Sequence, residues 1–198
     1  NHFSVRVIEL SRCKKSEDYQ VVGFGYKDIP QATNGLSSED DIENIASAVS
    51  EAVFRSESEL KRAVIAVPGG SVINKVVDVP CGISDEELEL FLSLNSDKYI
   101  PYPLDEVAID FQKLNLPSTT RNREKVLLTA CRRDTIEKLV RATNLAGFSV
   151  DIVDVAPFAT KRALEIQKNF PGSKKENSTL IVGIENNHIS CNLIDSEN

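Results

Sequence analysis

The chain has 198 residues, which is enough for one or two domains, and 41% of them are hydrophobic, which is ample for a core. The formal net charge of -7 argues against a nucleic-acid partner, because a phosphate backbone is recognised by clustered positive charge. Uninterrupted apolar runs such as 63–67 are far shorter than the ~20 residues that cross a bilayer, so we expect no direct membrane insertion.

The first 70 residues are typical of an α/β domain. The runs 4–10 and 20–29 are rich in β-formers and predict a hairpin with a long polar turn. Ser38 is a predicted N-cap, followed by acidic residues and then by apolar residues at helical spacing. These apolar residues are Ile42, Ile45, Ala46, Val49 and Val53. The apolar run 63–67 predicts a buried strand, and the Pro-Gly-Gly that ends it marks a domain boundary at residue 70.

Residues 71–153 predict a separate α/β subdomain. A strand begins at Val72, and a capping box at 84–87 starts a helix that we expect to run to about Tyr99. The remaining predicted elements are a strand over 106–114, a strand over 125–131, a helix that begins at Asp134 and ends at Gly147, and a strand over 148–155. The order β-α-β-β-α-β indicates a compact inserted subdomain.

Residues 154–198 resemble the first 70 residues in their pattern of predicted elements, so we assign them to the same core domain. Pro157 opens a predicted helix whose apolar face contains Ala159, Ala163, Ile166 and Phe170. The runs 179–184 and 189–194 then predict a second hairpin, which resembles the one at 4–29. This order suggests a duplicated α/β core that stops at the start of its second half. The absence of Met agrees with an incomplete chain, because Asn1 is then not the natural start.

Several short motifs have a plain structural interpretation. The run Gly23-Phe24-Gly25 is not a dinucleotide-binding fingerprint and precedes no helix. The acidic run 85–89 is explained by the dipole of a helix N-terminus, and the two histidines stand alone in polar turns. The four cysteines are far apart in sequence, so neither a metal site nor a disulfide framework is expected. We assign no catalytic residue and no metal site.

The predicted helix that begins at Asp85 has an unusually wide apolar arc. Leu90 and Leu94 fall outside the stripe that covers the sheet, so they must face something else. One interpretation is contact with the neighbouring core domain, and the other is the rim of a peptide-binding groove. Tyr99 and Tyr102, which lie beside two prolines, extend the surface with rigid amphipathic side chains of the kind that bind peptides.

A series of motifs resembles one protein family. The motifs are AVPG at 66–69, YIPYPLDEV at 99–107, DFQ at 110–112, ACRRD at 130–134 and DIVDV at 151–155. They occur in order over more than half of the chain, and their combination resembles the type IV pilus assembly protein PilM family, which is related to FtsA. The resemblance implies an actin-like (RNase H-like) α/β core with an inserted subdomain, and the second half of that fold is absent from this chain.

The resemblance also implies ligands and a location. PilM-like proteins bind ATP with Mg²⁺ between the two halves of the fold. They also bind the cytoplasmic N-terminal tail of the inner-membrane protein PilN in a groove that involves the inserted subdomain. Leu90, Leu94, Tyr99 and Tyr102 are the residues we expect at that groove. The expected location is the cytoplasm, peripheral to the inner membrane through the partner, with self-association as a further expectation.

The nucleotide site implied by the resemblance matches this chain only in part. Ser4 falls at the first phosphate loop, whose Asp precedes the chain, and Gly183 falls at the second. Glu185 puts a carboxylate where the backbone of the second loop must approach phosphate, so ATP and Mg²⁺ are doubtful here.

Three functions follow from this sequence. The leading hypothesis is a non-enzymatic scaffold of the type IV pilus machinery that binds a PilN-like tail. The alternatives are an actin-like assembly ATPase and the cytoplasmic domain of a type II secretion membrane protein of similar architecture.

Overall fold

The computed structural model describes residues 3–13, 19–29, 39–116, 118, 121–168, 178–185 and 188–195, which form a mixed α/β fold as the sequence predicts. The strands are β1 (Phe3–Arg12), β2 (Tyr19–Ile29), β3 (Arg62–Val67), β4 (Val72–Pro80), β5 (Val107–Leu114), β6 (Arg123–Arg132), β7 (Ser149–Val155), β8 (Ser178–Glu185) and β9 (His188–Asp195). The helices are α1 (Glu39–Ser56), α2 (Asp85–Leu94), α3 (Arg133–Leu145) and α4 (Ala156–Lys168). The predicted cap Ser38, together with His2 and Phe170, lies outside the described residues. No described helix is both long and apolar enough to span a bilayer.

The chain divides into two compact units. The first unit contains Asn1–Ile65, Glu137–Val153 and Gly183–Ile189, and the second contains Ala66–Ile136, Asp154–Val182 and Ser190–Asn198. The sequence pattern groups β7 with the inserted segment, but in the structure β7 pairs with β3. The predicted domain limits at residues 70 and 153 stay a prediction.

In the first unit, α1 packs closely on the antiparallel β1–β2 pair, whose register places Phe3 opposite Ile29. A Cβ atom on Gly25 would lie 1.7 Å from the carbonyl oxygen of Ala52, and one on Gly23 would lie 2.6 Å from that of Ser56. Only glycine permits this approach of helix backbone to strand. The Gly23-Phe24-Gly25 run therefore serves helix packing, in agreement with its structural interpretation.

The first unit has a small core and a polar link along α1. The buried side chains of the core are Ile29, Ile42, Ile45, Ala48 and Ala142. Outside this core, Lys27 lies 2.5 Å from the carboxylate of Glu51, and Arg55 donates both to Glu51 and to the carbonyl oxygen of Tyr26. The hydrogen bond from Lys27 is the main reason that the pKa of Glu51 lies below its ordinary value.

The second unit is built on a three-stranded antiparallel sheet in the order β4-β6-β5. Leu88 and Leu92 of α2 are completely buried with side chains from all three strands. The strand residues of this core are Val77, Val79, Val107, Val126, Leu128 and Ala130. Alternate strand residues point to one face, so a single helix is enough to cover that face.

Helix α2 begins as predicted but ends earlier than expected. The capping box is present, because Glu87 N–H donates to Ser84 Oγ at 3.2 Å and Ser84 N–H donates to Glu87 Oε2 at 2.8 Å. The prediction that the helix runs to Tyr99 is wrong. The side chain of Asn95 donates to the carbonyl oxygen of Phe91 at 2.8 Å, and a 3₁₀ turn over Ser96–Lys98 follows. Asparagine side chains compete with the helix for backbone partners in this way.

We predict that Gly25→Ala lowers the free energy of unfolding by roughly 3 kcal/mol, because the added methyl group overlaps a backbone carbonyl that no rotamer change can move. Urea denaturation measures this change. Gly70→Ala is the matched control, since a Cβ there meets nothing within 4 Å. We expect its effect to stay within about 0.5 kcal/mol. Equal effects in the two variants would contradict the packing role of Gly25.

We predict that Lys27→Met raises the pKa of Glu51 towards its ordinary value, because the largest stabiliser of the ionised carboxylate is removed. Carboxyl ¹³C NMR during a pH titration measures this shift. Since the folded-state pKa is depressed, the stabilisation by Glu51 is present above the ordinary glutamate pKa. It is lost as the pH falls through the depressed value. Lys61→Met, which removes a lysine that stacks on Phe148, should leave the titration of Glu51 unchanged.

Candidate partner-binding site

A pocket of about 230 Å³ lies at one end of the three-stranded sheet of the second unit. We call it the Tyr102 pocket. Its apolar lining is formed by Val72, Ile73, Val107 and Ala130, and its polar lining is formed by Ser71, Tyr102, Cys131, Arg132 and Thr135, with Gly70 beside them. The pocket thus combines an aliphatic surface with hydroxyl, thiol and guanidinium groups.

Strand register explains why these residues meet. Val72, at the start of β4, is opposite Cys131, and Val107, at the start of β5, is opposite Arg132. The two outer strands therefore begin where the central strand ends, and α3 starts immediately after it. The 3₁₀ turn over Gly69–Ser71, closed by Ser71 N–H donating to the Pro68 carbonyl oxygen at 2.9 Å, completes this end.

Cys131 ties the turn to the sheet. Its thiol donates to the carbonyl oxygen of Ser71 at 3.4 Å, and the residue is buried. Burial raises the pKa of the Cys131 thiol above its ordinary value, and the negative charge of Asp134 raises it further. The thiol is thus held protonated at neutral pH, which makes it a structural group rather than a nucleophile.

Arg132 and Tyr102 form the charged side of the pocket. The guanidinium carbon of Arg132 lies 5.8 Å from the centre of the Tyr102 ring, and Arg132 Nε lies 3.5 Å from Asp134 Oδ1. Cation–π contacts at exposed sites contribute about 0.5–1 kcal/mol, which is enough to bias the orientation of both side chains. The contact with Arg132 orients the ring of Tyr102. Because Tyr102 is 40% exposed, the ring also remains accessible.

The structure separates the four predicted partner-binding residues. Tyr102 lines the pocket, whereas Tyr99 is half-buried and packs against the core beneath α2. Leu90 and Leu94 are 60% and 77% exposed on α2, and neither belongs to the pocket lining. The expectation that Leu90 and Leu94 lie off the buried stripe is confirmed. Binding by these residues stays a prediction.

The predicted nucleotide residues lie in the first unit. Ser4 is in β1, opposite Asp28. Its hydroxyl is hydrogen-bonded to the phenol of Tyr26, and that phenol in turn donates to Asp28 Oδ1. That hydrogen bond is the main reason that the pKa of Tyr26 is raised. A carboxylate beside Ser4 disfavours phosphate there unless a cation intervenes.

Gly183, the other predicted nucleotide residue, lies in β8, which pairs with β9. Binding of ATP or Mg²⁺ stays a prediction, and the described residues contain no cluster of three or more potential metal ligands among His, Cys, Asp and Glu.

The arrangement of these elements is similar to that of solved structures. A chain of the "PilM-PilN type IV pilus biogenesis complex" matches with a TM-score of 0.79 and 20% sequence identity. The match covers 98% of the present chain, which spans 56% of the length of that chain. The cytoplasmic domain of EpsL, an inner-membrane component of the type II secretion system of Vibrio cholerae, matches with a TM-score of 0.48 and 14% identity, over 98% of this chain and 71% of that domain. The present chain thus has the same α/β fold as the matched chain of that complex.

Sequence comparison identifies the family. The model of the type IV pilus assembly protein PilM family matches residues 1–198, which is the whole chain. The chain belongs to this family. The family resemblance read from the motifs is therefore confirmed.

Sequence reasoning missed most of the pocket. Cys131 and Arg132 stand in the ACRRD motif, but the motif gives no sign that their side chains face Tyr102 and Ser71 across the sheet end. The residues come from four separate segments, and only the register of β6 with its two neighbours brings them together. A usable signal is that ACRRD ends one predicted strand and YIPYPLDEV leads into another, because an antiparallel pairing of these strands places both motifs at the same end of the sheet.

We predict that iodoacetamide alkylates Cys131 about tenfold more slowly than the exposed Cys81 at neutral pH, because Cys131 is buried and its thiol is held protonated. Mass spectrometry of proteolytic peptides measures both rates in one sample. In urea the two rates should converge. Equal rates in the folded protein would show that the thiol is accessible and would contradict this description of the pocket wall.

Proposed function

We propose that this chain acts in type IV pilus assembly as a non-enzymatic scaffold that binds the cytoplasmic N-terminal tail of a PilN-like inner-membrane protein in the Tyr102 pocket. The observation that carries the proposal is the pairing of an aliphatic lining with an accessible phenol and guanidinium at the end of the three-stranded sheet. Family membership and the fold shared with a chain of a PilM–PilN complex support it. Tethering to such a partner would hold the chain at the inner membrane.

The size of the pocket favours peptide side chains as its occupant. Pockets for small molecules and cofactors have volumes of about 300–1,000 Å³, whereas the Tyr102 pocket has about 230 Å³. One or two aliphatic side chains fit such a volume. An extended peptide also presents carbonyl oxygens, which the guanidinium of Arg132 and the hydroxyl of Tyr102 are suited to bind as donors.

The chemistry of the lining favours binding over catalysis. Among the described residues that form the pocket, none is a carboxylate or an imidazole, so the lining offers no general base. The one thiol is held protonated and bonded to a backbone carbonyl oxygen. The groups that remain are hydroxyls, a guanidinium and apolar surface, which are suited to recognition of a ligand.

We predict that a synthetic peptide with the sequence of the N-terminal tail of PilN from the same organism binds the chain, and that Tyr102→Ala weakens binding at least about tenfold, or 1.4 kcal/mol. The loss follows from removing both the aromatic wall and the stacking partner of Arg132. Isothermal titration calorimetry measures the affinity. Arg132→Met should also weaken binding. The salt dependence of its affinity should be no steeper than that of the unaltered chain.

Tyr19→Ala is the matched control, because Tyr19 is 54% exposed and lies in the first unit. We expect the Tyr19→Ala variant to bind the tail peptide with the same affinity as the unaltered chain. Thermal unfolding of each variant separates loss of binding from loss of fold. A folded chain that gives no binding heat would overturn the proposed function. Equal affinities for Tyr102→Ala and Tyr19→Ala would overturn the assignment of the pocket.

A further inference from the structure

We propose that the tail bound in the Tyr102 pocket continues as an added strand along the outer edge of β4. This binding mode rests on the proposed function and specifies how the tail is held. Addition of an extended peptide to an unpaired sheet edge is a recurring form of peptide recognition. β4 is a terminal strand of the order β4-β6-β5, so one of its two edges has no strand partner in the described part of the chain.

The register shows which residues of β4 face this edge. In an antiparallel pair, the N–H and C=O groups of alternate residues point towards the partner strand, and those of the residues between them point away. Cys81, the residue after β4, donates its N–H to the carbonyl oxygen of Asn122, the residue before β6, at 3.2 Å. Since β4 and β6 pair in one unbroken register, the odd-numbered residues of β4 bond to β6 and the even-numbered residues face the edge.

The part of this edge distant from the Tyr102 pocket is closed to a further strand. Pro80 has no N–H to donate, and the carbonyl oxygen of Asp78 accepts a hydrogen bond from Arg123 at 3.0 Å. Proline on an edge is one of the means by which native proteins prevent strand addition. The unprotected part of the edge is therefore the half that begins beside the pocket.

The half beside the pocket is open over two residues. The N–H of Val72 is already used, because it donates to the carbonyl oxygen of Gly69 in the 3₁₀ turn. Asn74 and Val76 are exposed, and among the described residues none is hydrogen-bonded to the N–H and C=O groups that they direct to the edge. With the C=O of Val72, these groups form a short unpaired edge of the kind to which an extended peptide adds.

The edge of β5, the other terminal strand, is less suited to strand addition. The N–H of Val107 donates to the carbonyl oxygen of Leu104 in the preceding 3₁₀ turn. In the middle of the strand, the N–H of Phe111 donates to Asp110 Oδ1 at 2.8 Å. A side chain of β5 itself thus occupies a backbone donor that an added strand needs. β4 has no such interruption between Val72 and Val76.

The pocket and the open edge are continuous. The pocket lining includes residues 70–73, of which Val72 and Ile73 are the first two residues of β4. A peptide whose aliphatic side chain enters the pocket therefore has its backbone next to the start of the edge. The pocket then selects a side chain, and the edge adds backbone hydrogen bonds that depend little on sequence. The net charge of -7 disfavours a second copy of this chain as the added strand.

A proline substitution on the edge tests the backbone contact. Val76→Pro removes an N–H that faces the edge and leaves the pairing with β6 intact. We expect it to weaken the PilN-type tail peptide at least about tenfold in calorimetry. Val76→Ala is the matched control, because it shortens the side chain and keeps the N–H, and its affinity should stay within about twofold of the unaltered chain. Thermal unfolding verifies that both variants are folded.

Backbone N-methylation of the tail peptide tests the pairing without altering the chain. One peptide carries N-methyl groups on its odd-numbered residues, and a second carries them on its even-numbered residues. Only one alternate set of amides in an added strand faces the edge to which it adds. We expect one of the two peptides to bind at least about tenfold more weakly than the unmodified tail, and the other to bind within about threefold of it.

Amide hydrogen exchange measured by NMR identifies the edge that the tail covers. The N–H groups of Asn74 and Val76 should exchange at least about tenfold more slowly when the unmodified tail is bound, because they then donate to its carbonyl oxygens. Ile109 of β5 is the internal reference, and its exchange rate should not change.

The outcomes separate this binding mode from the proposed function. A folded chain that gives no binding heat with the unmodified tail would overturn both. If Tyr102→Ala weakens the tail while the two N-methylated peptides bind equally, or while Val76→Pro binds as well as Val76→Ala, the added strand alone is overturned. Slower exchange in β5 in place of β4 would have the same result. Sedimentation showing a dimer that Val76→Pro abolishes would assign the edge to a second copy and would also overturn it.

Discussion

Because β6 is the central strand of its sheet, hydrogen bonds to β4 and β5 fix its register on both sides. The side chains of Val126, Leu128 and Ala130 point towards α2 and are buried there. The next two residues, Cys131 and Arg132, complete the wall of the Tyr102 pocket. A slip of one residue would expose the buried set and displace both pocket groups. The interactions that stabilise the core therefore also fix the positions of the pocket residues.

The two faces of α2 differ sharply in burial. The inner face supplies two completely buried leucines, whose burial stabilises the fold by about 1.5–3 kcal/mol each. The outer face carries two leucines that the core does not use. A helix can keep such a surface only if its inner contacts and its cap hold it without help. Here the capping box and the contacts with all three strands meet that condition.

Local patterns predicted the elements and not the site. The capping box at Ser84, the glycine at 147 with its positive φ, and the exposed positions of Leu90 and Leu94 all follow from residues close in sequence. The end of α2 was missed because the Asn95 side chain competes for backbone partners, a detail that apolar periodicity does not contain. The pairing of β7 with β3 and the assembly of the pocket depend on register between distant segments, which no local pattern specifies.

The immediate sequence of Tyr102 suits it to a small binding site. Pro101 and Pro103 restrict the backbone on both sides, and the stack on Arg132 biases the ring, so little conformational freedom remains to be lost when a ligand binds. A pocket of this size buries too little area for high affinity by contact alone. Preorganisation compensates in part, and the result is a reversible contact. We therefore expect the proposed contact with a PilN-like tail to be reversible, because a small preorganised pocket gives only moderate affinity.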